Sequence, residues 1–459
     1  MAKNITLMGA SFSNVPAVVL PQTGGGTASF TDVSDTTATA SDVAQGKVFY
    51  AADGNQTIGT ASGGGGATAP VKSDVNFYDY DGTLLHSYTA TEAAGLTALP
   101  DNPSHSGLVA QGWNYTLTQI KAEVTDHGKC DVGQMYVTDD DKTRIYCTFP
   151  EGRLSPYLGI CTDGTVVVDW GDGSDTNIIT GTSLSVIRTV WHTYASAGNY
   201  VITLTVQSGS VSFSGNGTIA YLLTKNGIAN TASLVYANAV TRVELGSSAV
   251  IGDGAFGYCY SLSSITIPNS VTNIGTNAFY SCYSLSSIVI PSGMTSLGQA
   301  AFRNCSLSSI TIPNSVTNIG TYAFYNCTSL SSIVIPSGMT NLNDSLLGNC
   351  VSLSSVAIPS SVTTFGSSVL NVCQVLASVT IPSGVTEIGN YALASCYGVS
   401  EYHLKPVTPP TLTGTSTFRG ISTDCKIYVP YSQDHSILEA YKAATNWSSL
   451  QSYMLEEAA

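Results

Sequence analysis

From Ile251 onward the apolar residues return in a fixed frame. The stretch IGTNAFYSCYSLSSIVIPSGMTS sets Ile274, Phe279, Cys282, Leu285, Ile288, Ile290 and Met294 among polar neighbours. The same frame restarts at Ile251, Leu297, Ile319, Leu342 and Phe365, with a degenerate seventh unit from Ile388. A fixed period near 23 residues predicts a solenoid in which each unit is too small to bury its own apolar face and must stack on its neighbours. Within a unit, LSSIVIP alternates as a short strand stopped by proline, and PSGMT or PNSVT turns the chain toward the next coil. The third unit lacks one residue between Cys305 and Ser306. That position lies in the connection, so the strand ladder is expected to keep its register.

Other parts of the chain follow different patterns. Residues 160–208 read as β-strands bounded by Gly, Asp and Asn turns: GTVVVDWGDGSD, SLSVIRTVWHTY and GNYVITLTV. Residues 70–159 carry strand-like VNFYDYDG, a helix at TLTQIKAEVTDHG, and a hairpin in which QMYVT and RIYCTF flank Asp139-Asp140-Asp141-Lys142. Residues 1–69 are rich in Gly, Ser, Thr and Ala and end in the linker ASGGGGATAP, with at most a short hairpin around Asp53-Gly54-Asn55. Such a segment cannot stand alone, so its order is expected from oligomerisation or docking. Residues 209–250 precede the repeats as an N-terminal cap, 251–400 are the repeats, and 401–459 close them. In that last part Ser436 and Glu439 read as a capping box, opening an amphipathic helix with Leu438, Tyr441, Trp447 and Leu450. The expected class is mainly β: an elongated multi-domain chain of small β modules, a β-sandwich and a C-terminal solenoid with a helical cap. Seven coils at strand spacing would run about 30 Å.

Charge narrows the partners. Charged residues are 10% of the 459, and the formal net charge is −14 without a Lys/Arg run, which argues against nucleic acid or anionic membranes. No apolar run is long enough for a membrane span or a signal segment. Seven of eleven cysteines (Cys259, Cys282, Cys305, Cys327, Cys350, Cys373, Cys396) recur at spacings of 23, 23, 22, 23, 23 and 23. An odd ladder with one cysteine per unit reads as small buried hydrophobes in equivalent slots rather than disulfide pairs.

The frame AF..C.SL.SI.IP.SVT.IG resembles the BspA-like leucine-rich repeat family over about 150 residues, and the 401–459 tail looks like the closing segment of such arrays. The resemblance implies a surface or host-contact protein. VDWGDGS (Val168 to Ser174) with HTYASAGNYVITLTV (His192 to Val206) looks like the signature of PKD β-sandwich domains, which implies a spacer or binding module in 160–208. The segment from Val75 to Trp113, with YDGTLL, a Pro-Xaa-His-Xaa-Gly and GW, resembles the internalin B-repeat type of β-grasp module. The N-terminal element GK..Y.ADGN...GT resembles short repeats of phage structural proteins.

Candidate binding positions are of two kinds. The outward strand residues Ser264 and Thr266, Ser287 and Val289, Ser309 and Thr311, Ser332 and Val334, Ser355 and Ala357, and Ser378 and Thr380 are expected to form a flat uncharged ribbon. Tyrosines gather beside the cysteine slots: Tyr258, Tyr260, Tyr280, Tyr283, Tyr322, Tyr325 and Tyr397. Aromatic faces with hydroxyls suit a neutral glycan or a protein surface; equally, these rings could simply cover the repeat edge. Catalysis is not expected. Between Gly254 and Thr386 only Arg303 and Asp344 are charged, whereas glycoside hydrolysis by the usual route needs paired carboxylates. Asp169, Asp172 and Asp175 read either as Asx turns or as a calcium loop, and His192 as structural; neither a resident metal nor a cofactor is expected. The combined expectation is a virion protein assembled in the host cytoplasm, a phage tail fibre or receptor-binding protein. It would be a homotrimer held to other virion proteins by residues 1–69 and meeting a host glycan or protein through its repeats. A bacterial surface adhesin and a capsid fibre are the alternatives.

Overall fold

A computed structural model describes residues 70–213 and 238–458, together with strands at 3–7, 10–15, 18–21, 27–30, 48–50, 56–58 and 223–224. The chain divides into two compact units, residues 1–72 with 83–87, and 73–82 with 88–459. In the first, three antiparallel strand pairs are described. One of them joins Val48–Tyr50 to Gln56–Ile58, with Val48 opposite Ile58, and is the short hairpin expected there. The linker and the remainder of the expected attachment segment, like most of the 209–237 stretch, lie outside the described residues.

The second unit is built from a small module, a β-sandwich and the repeat array. In the module the strand Cys130–Thr138 pairs parallel with Val75–Tyr78 and antiparallel with Leu108–Trp113. The helices Ala90–Gly95 and Leu117–His127 open with complete capping boxes, Thr89/Glu92 and Thr116/Gln119. These satisfy the N–H groups that a helix start leaves without partners. Phe77 meets Trp113 edge-on at 5.0 Å in the module's core.

The expected hairpin across residues 139–142 does not form. Cys130–Thr138 stays in the module, whereas Thr143–Phe149 sits between Gly198–Ser208 and Val240–Glu244, antiparallel to both. Alternating burial explains the outcome: Ile145, Cys147 and Phe149 face the sandwich core, which a two-stranded ribbon could not offer. The sandwich therefore takes in Thr143–Phe149 and Tyr157–Thr162, upstream of or overlapping the 160–208 segment that reads as β from sequence.

The sandwich's two sheets run on into the two walls of the array. One has the order Asn177–Thr180, Thr165–Asp169, Gly198–Ser208, Thr143–Phe149, Val240–Glu244, Ser264–Thr266; the last pair is parallel, with Arg242 opposite Ser264. The other includes Tyr157–Thr162, Val211–Ser212 and Ala249–Val250, and the next residue, Ile251, bridges in parallel to Ile274. One hydrophobic core consequently extends from Ile145 to Met454. This is how the first coil avoids an open end, the role a capping unit must fill in a solenoid.

Within the array every slot predicted in the second unit is buried, from Ile274 to Met294. The outer wall alternates its hydrogen bonds. The N–H groups of Asn277, Phe279 and Ser281 donate to the next coil at 2.8 Å each, while those of Ala278, Tyr280 and Cys282 close turns within their own coil. Left-handed residues make this possible, two per coil, such as Asn277 (φ 55°) with Ser281 (φ 59°). The deletion in the third coil behaves as expected: Ser309 still pairs in register with Ser332, and the turn that follows Cys282 and Cys327 is absent after Cys305. Ser287 to Ile290, expected as a strand, is not in one. The C-terminal helix is shorter than expected, Ser436–Ala443, and Ser436 is not its cap; His435 occupies that position with φ 58°, and Asp434 Oδ1 accepts the Ser436 N–H. Trp447 and Leu450 lie beyond the helix, where Trp447 Nε1 donates to Pro410 O at 2.8 Å and Tyr441 Oη to Pro406 O at 2.8 Å. Both rings are anchored on the last coil, which ends the helix early.

Candidate functional site

Of the two surfaces expected to be open, one is largely covered. The strand ribbon of the first four coils is covered by the chain's own module. Tyr115 Oη donates to Ile312 O at 2.9 Å, Asn114 Nδ2 to Ile290 O at 3.2 Å, and the Asp131 N–H to Thr311 Oγ1 at 3.2 Å. Gln111 accepts the Asn269 N–H, Asn314 donates to Glu123, and Lys129 reaches Ser355. Gly133 lies so close to Val289 that a Cβ there would come within 2.5 Å of a Val289 methyl. This contact falls where Ser287 to Ile290 leaves the strand ladder. The expected exposure of the ribbon is accordingly corrected: Ser264 and Thr266 are buried in the sheet shared with the sandwich, and Thr311 and Val334 are also buried. Ser287, Ser309 and Ser332 are half-buried. Beyond the module's footprint Ser378 and Thr380 are exposed, as expected of the same positions in an uncovered coil.

The tyrosines form a strip along the turn edge. Tyr283 stacks on Tyr260 at 5.1 Å, Tyr260 meets Tyr258 at 6.0 Å, and Tyr258 meets Tyr280 at 5.0 Å. Arg303 continues the line, its guanidinium 5.6 Å from the centre of Tyr280, 5.4 Å from Tyr322 and 5.0 Å from Tyr325. Six of the seven expected tyrosines come together here; Tyr283 is 52% exposed and the other five are half-buried, while Tyr397 stands apart at 58%. Burial and the neighbouring phenols push the Tyr260 hydroxyl above its ordinary range. It therefore stays protonated at neutral pH, able to donate as well as accept. Arg303 was noted in the sequence only as one of two charges in the array; its place among three rings depends on stacking across coils.

Beside this strip a polar ladder fixes the coil spacing. Asn304 Nδ2 donates to Ser281 Oγ at 3.1 Å, Asn326 Nδ2 to Asn304 Oδ1 at 3.0 Å, and Asn349 to Asn326. Inside, the cysteine slots form a second ladder. Each thiol from Cys282 to Cys396 donates to a backbone carbonyl of the preceding coil: Cys282 to Phe256 at 3.2 Å, Cys305 to Phe279 and Cys327 to Phe302 at 3.1 Å, with Cys350, Cys373 and Cys396 following suit. All eleven cysteines are buried, and none forms a disulfide. Burial pushes the Cys259 and Cys350 thiols up to about 12. A thiolate is the reactive form, so these are structural sulfurs.

The acidic turn of the sandwich is occupied internally. Asp169 Oδ1 accepts the Gly171 N–H, Asp172 Oδ1 the Ser174 N–H, and Asp172 Oδ2 lies 2.7 Å from His192 Nε2. His192 stacks on Trp170 at 5.1 Å. Burial acts against the Asp172 charge, but the bonds from Ser174 and His192 prevail and bring its pKa down to about 2. Among the described residues no three His, Cys, Asp or Glu side chains converge to hold a metal, and no helix is long and apolar enough to cross a membrane.

Comparison with known proteins bears on the repeats. Residues 249–377, 295–421 and 349–442 match the family described as BspA type leucine-rich repeat region, in six copies. The array is thus made of BspA-type leucine-rich repeats. Solved structures similar to the chain include a leucine-rich repeat protein from Bacteroides ovatus, at 29% identity over 45% of this chain and 58% of that one, TM-score 0.36. Another is the leucine-rich repeat protein of T. pallidum, at 31% identity over 30% of this chain and 66% of that one, TM-score 0.27. A leucine-rich cell surface protein from Faecalibacterium prausnitzii matches at 23% identity over 43% of this chain and 73% of that one, TM-score 0.26. The chain covers less than two thirds of the first two. No curated protein matches.

Proposed function

We propose that this chain is a non-enzymatic attachment protein that binds a cell-surface glycan through the tyrosine strip of its repeat array. The observation that carries the reading is the strip itself, a line of rings and phenol hydroxyls along the turn edge of the coils. Stacked aromatic faces bounded by hydroxyls suit the apolar face and ring hydroxyls of a sugar. The BspA-type repeats favour a bacterial surface adhesin as the setting. In this reading the sandwich is a PKD-like spacer.

A second setting is favoured by the thiols. Eleven buried cysteines without a disulfide suit a protein assembled in a reducing cytoplasm, as a phage tail or capsid fibre would be. A homotrimer held to other virion proteins by residues 1–69 belongs to that setting. Labelling a phage lysate and bacterial envelopes with an antibody against residues 251–396 separates the two, since label on particles supports the fibre and label on envelopes alone supports the adhesin. Light scattering of a chain lacking residues 1–69 tests the trimer.

Binding itself is tested with a glycan array probed by the full chain and by the double variant Tyr260→Ala/Tyr283→Ala. The expected result is a weakening of at least about fivefold, from about 0.5–1.5 kcal/mol per lost ring contact. Equal binding by a variant with unchanged circular dichroism would sink the tyrosine strip as the site.

A further inference from the structure

Arg303 is the single charged side chain between Asp253 and Asp344. Both of those carboxylates are engaged elsewhere: Asp253 Oδ1 accepts the Thr276 N–H at 2.7 Å, and Asp344 Oδ1 accepts the Ser367 N–H at 2.7 Å. The Arg303 guanidinium lies over three tyrosine rings. Its Nε is buried without a hydrogen-bond partner, and no ion pair joins it to a carboxylate among the described residues.

This is an unusual way to keep a guanidinium. Its five N–H groups form a planar fork that ordinarily finds acceptors, and cation–π contact satisfies the charge but none of the donors. Three tyrosines also restrict the plane of the fork, so little rotational freedom remains to be lost when an acceptor arrives. The chain carries a net charge of −14, yet among the described residues this cation has no carboxylate partner on an otherwise neutral edge. A planar or tetrahedral oxyanion matches the fork in a two-pronged arrangement that a neutral hydroxyl cannot equal.

We infer that Arg303 is an anion-reading position, and that the ligand of the tyrosine strip is an acidic sugar whose carboxylate or sulfate lies on the Arg303 fork while its rings lie along Tyr280, Tyr258 and Tyr260. The inference rests on the proposed glycan reading. It adds the chemical class of the ligand. Specificity is divided along the edge: the rings supply contact to any sugar of suitable shape, and Arg303 selects the charged one.

The test has two arms, both on the full chain. In the first, acetate and sulfate are titrated against ¹⁵N-labelled protein while the Arg303 Nε–Hε resonance is followed, with chloride as control. Saturable shifts with acetate or sulfate, absent in Arg303→Gln, are expected, and an unmoved resonance overturns the anion site. In the second, calorimetry compares lactose, 3′-sialyllactose and 3′-sulfated lactose. The acidic sugars should bind at least about tenfold more tightly than lactose, the ratio expected of one charge-assisted contact. Arg303→Gln should remove that difference, and Arg303→Lys should restore part of it; preference for one acidic form identifies the oxyanion. Equal binding of all three sugars overturns the acidic-sugar assignment and leaves the tyrosine strip standing. An acetate response without binding of any of the three sugars overturns the acidic sugar and counts against the glycan reading, while Arg303 stands as an anion site.

Discussion

The hydroxyl of Tyr115 donates a 2.9 Å hydrogen bond to the backbone carbonyl of Ile312, 197 residues away in the sequence. It ties the small module to the strand wall of the third coil, where Thr311 is covered and no ligand has access. The surface that a reading of the repeats alone would choose for binding is thus already taken by the same chain.

Removing that hydroxyl tests the docking. In Tyr115→Phe the Ile312 carbonyl is left buried without its donor, at a cost of about 1–3 kcal/mol. Amide exchange over residues 286–290 and 309–312 should rise, while residues 378–381, beyond the module's footprint, stay protected. Gly133→Val, which drives a side chain into Val289, should produce the larger effect. Unchanged exchange in both variants would show that the module does not hold this wall.

The thiol ladder gives the array an alkaline limit. Burial raises the Cys259 and Cys350 thiols to about 12 from a usual 9. In the unfolded chain these groups lose their protons first, so the stability they contribute is complete below pH 9 and declines as pH rises toward 12. Chemical denaturation between pH 8 and 11 should show this fall, with a shallower slope in Cys350→Ala. A thiol reagent at pH 8 should leave the native protein unlabelled and find its cysteines only after unfolding; prompt labelling would contradict the buried ladder.

Phe256, Phe279, Phe302 and Phe324 stack through the array at 5.4, 5.3 and 5.5 Å. Phe302→Ala breaks that column in the middle, costing about 3–5 kcal/mol. Because a solenoid couples only neighbouring coils, urea unfolding should separate into two transitions. A single transition merely shifted to lower urea would mean that the coils on either side remain coupled without the ring.

Val372 has φ 64°, a conformation that disfavours β-branched side chains, in the position held elsewhere by Asn304, Asn326 and Asn349. Val372→Asn should stabilise the protein by about 1 kcal/mol and raise its melting temperature. It would also offer an amide to extend the ladder that ends at Asn349. A lower melting temperature would show that packing of the valine outweighs the backbone strain.

The sequence by itself determined the array. A 23-residue frame with Phe, Cys, Leu and Ile at fixed places has one good solution, coils stacked so that like covers like, and each slot is buried where the period put it. The cysteine ladder was legible for the same reason, as was the tolerance of the missing residue before Ser306. What the frame could not carry was any contact between segments of unlike pattern. Thr143–Phe149 looked like half of a hairpin because a turn followed Cys130–Thr138, but its alternating face was claimed by the larger sandwich core. The ribbon of small residues looked open because outward serines and threonines signal only that they face away from their own coil. Whether another part of the chain lies on them depends on groups such as Tyr115, Asn114 and Gly133, whose local pattern gives no sign of a partner far along the chain. Arg303 is the same case in reverse: its charge was visible in the sequence, and only the stacking of three coils surrounded it with tyrosine rings and left its Nε–H without an acceptor among the described residues.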